Sequence, residues 1–401
     1  MKNLRLLFLC FLTSLILISC GKKEMPFQKL VNDQLEFSTS QYLKMFDLTK
    51  DSLTLPRSYS KEGKLVMAPS DWWTSGFVPG TLWYLYENTM DTIVRSAAMN
   101  YTKRVEKEQF NKGTHDLGFM LYCSFGNGYR LTADTSYKRV LITGAQSLIS
   151  RNKPQIGCIQ SWNSNEEWQF PVIIDNMMNL EFLIWATKAT GDSTYYKIAI
   201  SHADTTMKNH FRSDYSCYHV LNYDTIRGKV LNKQTHQGAS DSSAWARGQA
   251  WALYGYTMMY RETLIPRYLE QAKNIASFIL KNPNLPSDKI PYWDFDAPAI
   301  PNEPRDASAA SIICSALIDL SQFVEPSLSK EYMNVAEQQI KVLSSSLYRA
   351  EPGTNGDFIL KHSVGSKPHN SEVDVPLTYA DYYYVEALIR MKEILSRNTP
   401  E

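Results

Sequence analysis

Two aspartates stand where a loop turns into a helix, and a carboxylate in such a place can do chemistry. Asp175 follows the apolar run Pro171-Val172-Ile173-Ile174 and precedes an amphipathic stretch ending at Trp185. Asp116 lies in Gly113-Thr114-His115-Asp116-Leu117-Gly118-Phe119. Each suits a plain N-cap, because an Asp side chain accepts bonds from the first free N–H groups of a helix. Each also suits a general acid or base. If the two share one cavity, their repulsion lets one keep a proton while the other stays ionised.

Other groups could bind what such a pair acts on. Thr235-His236-Gln237-Gly238 opens a polar loop that runs through Ser243 into Trp245-Ala246-Arg247-Gly248-Gln249-Ala250-Trp251. Arg247 and Trp251 are four apart and share one helical face. A guanidinium beside an indole can hold a carboxylated sugar by charge and by a flat face; a buried Arg stacked on Trp fits the same spacing. His236 can be a ligand contact or a loop-ordering hydrogen bond. Trp72, Trp73, Phe77 and Trp162 sit beside loops, where aromatics serve either the core or a sugar platform. Ser363 to Asn370 reads as a flexible polar loop suited to an anionic substituent or to solvent. No metal-ligand spacing, phosphate-cradling glycine loop or Gly-x-Ser-x-Gly elbow occurs, so no cofactor or metal is expected.

The elements that must position these groups are helical. Helix-period apolar spacing predicts about twelve helices between residues 30 and 396. Pro266 should start one helix and Asp306 should cap another. Short strands are expected only near 217–223 and 356–361. Sequential antiparallel helix pairs without a fixed repeat favour a closed α/α toroid over a solenoid. The expectation is therefore an all-α, single-domain chain over 28–401, with Asp175 facing a central cavity.

Composition agrees with a large core: 44% of the 401 residues are hydrophobic. The 42 basic and 41 acidic side chains nearly cancel, which argues against a nucleic-acid partner. The first 19 residues read as a secretory signal: Lys2 and Arg5, then an apolar run too short to span a bilayer. Leu17-Ile18-Ser19-Cys20-Gly21 looks like a bacterial lipobox, so Cys20 should carry a lipid and 20–27 should be a tether. That implies a cell-envelope location facing the periplasm, with membrane contact only through the lipid. The other mature cysteines are scattered and should be buried free thiols.

Taken in order, these motifs resemble glycoside hydrolase family 88, the unsaturated glucuronyl hydrolases. The matching pieces are Trp73 to Gly80, His115 to Phe119, Ile174 to Leu180, Thr235 to Gly238, Trp245 to Trp251 and Asp381 to Leu388. The resemblance implies an (α/α)6 barrel and a substrate made by polysaccharide lyases: an oligosaccharide ending in a C4=C5 unsaturated uronic acid. Asp175 would protonate C4 of the vinyl ether, water would add at C5, and the hemiketal would open and expel the remaining sugar. Asp116 would assist as partner carboxylate or hydroxyl contact. His219, Thr235, His236, Gln237, Arg247 and Trp251 match substrate-binding positions, and Trp73, Phe77 and Trp162 match aromatics around the sugar. Sulfate-accepting relatives carry Ser-x-x-Ser-x-Lys; Ser363 and Ser366 fit, but Pro368 occupies the Lys position and Lys367 comes one place early. Glycosaminoglycan fragments are the expected substrates. The alternatives are a rhamnogalacturonyl hydrolase acting on pectin fragments and a non-catalytic glycan-binding lipoprotein.

Overall fold

The structure, a computed structural model, describes residues 26–397. The signal segment, Cys20 and most of the tether lie outside the described residues. Six helices form an inner ring and six an outer ring. The outer helices are α1 (Pro26–Thr49), α3 (Thr92–Val105), α5 (Thr135–Ile149), α7 (Ser193–Asn209), α9 (Pro266–Lys281) and α11 (Pro326–Leu343). The inner ones are α2 (Phe77–Thr89), α4 (Asn127–Thr132, extending a π-helical stretch from Gly118 to Gly126), α6 (Leu180–Thr190), α8 (Ala246–Thr263), α10 (Ala307–Leu320) and α12 (Thr378–Arg397). α12 packs against α2 and closes the ring. This is the (α/α)6 barrel.

Burial separates the rings. α8 is buried on every side from Ala246 to Met259, polar Arg247, Gln249 and Thr257 included, because neighbouring helices enclose it. α9 buries only Tyr268, Gln271, Ala272, Ile275, Ala276 and Ile279, on one face. The short connections run from inner to outer helices, and their chemistry is local. Asp91, Asp134 and Asp192 each cap the following outer helix through a side-chain oxygen. Pro266 and Pro326 open α9 and α11, where a missing N–H costs nothing.

Among the described residues all strands lie in the outer-to-inner connections, so they gather at the mouth where the inner helices begin. β1 (Leu55–Tyr59) pairs with β2 (Leu65–Ala68), and β3 (Asn152–Lys153) with β4 (Cys158–Ile159). β5 (Pro171–Ile173), β6 (Val220–Tyr223) and β7 (Val230–Gln234) form one antiparallel sheet. β8 (Ser363–Ser366) and β9 (Ser371–Val375) form a hairpin.

Two sequence expectations change here. Residues 363–370 are not a flexible loop: the segment is the β8 strand and its turn, held by the β9 ladder and by Arg247. Residues 356–361 are not a strand: a 3-10 turn spans Asn355–Asp357, and one isolated bridge joins Arg349 to Leu360. The 217–223 expectation corresponds to β6. Cys123, Cys158, Cys217 and Cys314 are buried free thiols.

Candidate active site

Asp175 reaches its place by strand pairing. Ile173 of β5 faces Val220 of β6. In an antiparallel pair, the residues just past one strand's end lie beside those just before its partner's start. Asp175 and His219 therefore meet, and the Ile174 N–H donates to the His219 carbonyl at 3.1 Å. Val220 in turn faces Gln234 of β7, which brings Thr235, His236 and Gln237 alongside.

The Asp175 side chain is not a helix cap. It lies within a 3-10 segment, Ile174–Asn179, whose N-cap is Ile173 and which has no side-chain cap bond. Asp175 is 7% exposed, and its Oδ2 has no hydrogen-bond partner. Burial pushes its pKa up to about 7; the Arg247 charge opposes this, and the Asp116 charge adds to it. A carboxyl so placed holds a proton near neutrality.

His219 lies 3.7 Å from that oxygen through Nε2. Its Nδ1 accepts the backbone N–H groups of His236 (3.1 Å) and Gln237 (3.2 Å). Two donors aimed at Nδ1 require the proton to sit on Nε2, facing Asp175. Burial holds the His219 pKa well below its ordinary value, so the ring is neutral. The indole Nε1 of Trp251 also acts on Asp175. Asp175 Oδ2, His219 Nε2 and Trp251 Nε1 are all buried without partners, and buried polar groups are rarely left so.

Asp116 arrives through a separate set of contacts. Its Oδ2 accepts the Thr114 hydroxyl at 2.6 Å, and its Oδ1 lies 3.2 Å from His115 Nε2. Gly118 N–H donates to Asn179 Oδ1 at 2.8 Å, tying the Asp116 segment to the Asp175 segment. A Cβ on Gly118 would come 2.5 Å from that oxygen and 2.8 Å from the Asn179 Cα. The backbone bridge from Thr114 to Trp162 carries Trp162 to the same mouth.

The other expected residues divide by position. Trp73 is half-buried, packed at 4.9 Å on Tyr379. Trp162 is half-buried against Trp168 and His236. Phe77 is fully buried among Phe119, Tyr379, Tyr382 and Tyr383, so it supports the site from within the core. The flat Arg247–Trp251 face is not formed. Trp251 is buried against Phe119 and Tyr383, while Arg247 lies over Trp245 and Tyr379. The Arg247 guanidinium donates to the carbonyls of Val364 and Gly365 and lies 3.5 Å from Asp306. It thus anchors the β8–β9 hairpin, with which Gln237 Nε2 also bonds, through Gly365 O at 3.0 Å.

Thr235 closes its own turn by accepting the Gly238 N–H at 2.7 Å. Ser363 is fully buried with an unpartnered hydroxyl. Ser366 Oγ bonds His369 Nδ1 at 2.7 Å. Lys367 lies 3.6 Å from Glu303 and over Trp293, so its charge is directed to that segment.

Five residues join the site that sequence reasoning gave no role. His115 touches Asp116, and its adjacency in sequence was a usable signal. His369 stacks 4.6 Å from His236. Trp168, Trp245 and Tyr379 pack on His236, His219 and Trp73 respectively. No spacing in the sequence connects these long-range pairs.

Comparison with known proteins agrees with this fold. The family model for Glycosyl Hydrolase Family 88 matches residues 52–394. An unsaturated glucuronyl hydrolase of Formosa agariphila is 46% identical over 378 residues, covering 94% of this chain and 93% of that protein. An unsaturated chondroitin disaccharide hydrolase of Streptococcus agalactiae is 31% identical over 366 residues, covering 90% and 91%. The crystal structure of an unsaturated glucuronyl hydrolase specific for heparin superposes with a TM-score of 0.90 at 50% identity, covering 92% of this chain and 98% of that one. That of the Bacillus sp. GL1 unsaturated glucuronyl hydrolase, responsible for the degradation of glycosaminoglycan, gives 0.84 at 29% identity, covering 91% and 96%. With the family model spanning nearly the whole barrel and a relative this similar along its length, the chain belongs to glycoside hydrolase family 88.

Proposed function

We propose that this enzyme removes the 4,5-unsaturated uronic acid from the non-reducing end of glycosaminoglycan oligosaccharides by hydrating the C4=C5 vinyl ether. The observation that carries the reading is Asp175: a buried carboxyl with a pKa of about 7 and a free oxygen, beside a neutral His219. In its protonated form Asp175 gives its proton to C4. Water adds at C5, and the C5 hemiketal opens, releasing the rest of the sugar. The His219 Nε2–H then faces the new carboxylate and stabilises it until a proton returns. Asp116, held by Thr114 and His115, contacts a ring hydroxyl or the incoming water. The spacing of two carboxylates that separates retaining from inverting glycosidases has no bearing here, because no displacement at C1 takes place.

Trp73, Trp162, Trp168 and the His236–His369 pair frame the mouth and suit the ring faces of the substrate. The relatives' names, one of them a chondroitin disaccharide hydrolase and one specific for heparin, support the glycosaminoglycan class. Reaction with lyase-made disaccharides in deuterated water tests the mechanism. The double-bond absorbance should disappear and deuterium should appear at C4; turnover without deuterium at C4 would sink it. We further propose that Cys20 carries the lipid that holds the enzyme in the cell envelope, facing the periplasm, as its lipobox-like setting suggests.

A further inference from the structure

Asp306 is fully buried where α10 begins, and its two side-chain oxygens do different work. Oδ1 accepts the Ser308 N–H at 2.9 Å and the Ser308 hydroxyl at 2.6 Å, which caps α10. The same oxygen accepts the Val364 N–H of β8 at 3.2 Å. Oδ2 takes no hydrogen bond and faces the Arg247 guanidinium at 3.5 Å. A cap needs only one oxygen, and a serine supplies it as well. The second oxygen is therefore surplus to capping and is turned toward a cation.

Arg247 grips the same strand through its carbonyls, those of Val364 and Gly365. The start of β8 is thus clamped, its N–H by Asp306 and its C=O groups by Arg247. The clamp also fixes where the Arg247 charge is spent. That charge opposes the retention of a proton by Asp175. A cation held against a counter-charge acts weakly on a third group, because the two fields largely cancel there. Without its partner, buried Arg247 would draw the proton off Asp175.

Few other groups compete. Asp175 faces Arg247 from α8, Asp116 from the segment before the π-helical stretch, and His219 and Cys217 from the turn before β6. Burial holds His219 neutral and pushes the Cys217 thiol up to about 12. Arg247 and Asp116 are the charges that remain. Asp306 also faces Tyr379, whose phenol is kept neutral by burial. Arg57 and Glu372, which face the same phenol, are paired with each other at 2.7 Å.

We propose that Asp306 is a positioning residue for the reaction: it holds Arg247 on the β8–β9 hairpin and cancels its charge, so that Asp175 keeps its proton near neutral pH. Its importance to turnover rests on the reading of Asp175 as the general acid. The test follows that proton in the full chain in two ways. Infrared difference titration reads the Asp175 carboxyl directly, each protein against its own Asp175→Asn counterpart. The kcat/KM profile against pH reads its use.

Asp306→Asn keeps an oxygen for Ser308 and Val364 and drops the charge. Its infrared midpoint and the alkaline limb of kcat/KM should both fall by at least about 0.5 pH unit, roughly threefold in the proton equilibrium. Arg247→Met should raise the infrared midpoint. The double variant should return it toward wild type, since cation and counter-charge leave together. Asp306→Ser, an equally good cap, decides if Asp306→Asn does not fold. A role confined to the hairpin would lower kcat/KM equally at every pH and leave both midpoints in place. That result overturns the proposal, as does an upward shift in Asp306→Asn. A flat wild-type kcat/KM profile would reject the general-acid reading, while the infrared midpoints would still decide the role of Asp306.

Discussion

At the scale of the residue, the chemistry rests on one proton. Asp175 has an ordinary pKa of 3.8 and is pushed to about 7 by burial. Activity should therefore fall as pH rises through about 7, because the general acid is then ionised; a flat kcat/KM profile to about pH 9 would exclude the assignment. Asp175→Asn should lose about 10²–10⁴ in kcat while keeping the fold, the usual range for a positioned acid. The same shift has a stability consequence of fixed sign. A raised folded-state pKa favours folding below the unfolded value, and that contribution is lost as pH rises through about 7. Ionised and buried, Asp175 costs at most about 4 kcal/mol, from roughly three pKa units at about 1.4 kcal/mol each. Asp175→Asn should thus melt progressively higher than wild type on going from about pH 5 to pH 8, as calorimetry would show.

At the scale of the element, the sheet and the hairpin decide where side chains point. The Asp306 cap, the Pro266 helix start and the periodic helices were legible in the sequence, because caps and periodicity are local. The β5–β6–β7 sheet was mostly not. Its β5 strand is three residues long, and its pairing spans the whole of α6 and α7. For the same reason Asp175 looked like a cap: the residues after it were read correctly as helix-forming, but strand pairing places it in a 3-10 turn. Arg247 was visible as a functional position, yet its partners are backbone carbonyls more than a hundred residues away, which no spacing rule reveals. Arg247→Met should free the β8–β9 hairpin. Hydrogen exchange in residues 363–375 should quicken while α8 stays protected; unchanged exchange there would deny the anchoring role. Gly118→Ala should force the Asp116 and Asp175 segments apart. A loss of at least about 2 kcal/mol in denaturant unfolding is expected, typical of overpacking in a tight interior.

At the scale of the molecule, the twelve-helix barrel followed from counting periodic segments, from the absence of a fixed repeat and from the family resemblance. The sequence also favoured a closed ring over a solenoid, but which helices meet to close it was not legible, since α2 and α12 pack across almost the full length of the chain. The asymmetry of the barrel follows from its connections: tight Asp- and Pro-initiated turns at one end, strands and recognition groups at the other. The far end is instead knitted by ion pairs, with Arg261 joining α6, α8 and α10. The proposed envelope location would be a whole-molecule property of a different kind. Cys20→Ala should move the protein from the membrane fraction to the soluble one, as fractionation and immunoblotting would reveal; continued membrane retention would dismiss the lipid anchor.

The unpartnered Asp175 oxygen makes the protein chemically addressable. A carboxylic acid that stays protonated near neutrality reacts with diazo compounds, which take up its proton, lose dinitrogen and leave an ester. Surface carboxylates at that pH are ionised and react far more slowly. A diazo reagent small enough to enter past Trp73 and Trp162 should therefore esterify Asp175 in preference to the exposed acids. The adduct would be readable as one mass increment on the peptide containing Ile174, and an oligosaccharide substrate in the mouth would protect against it.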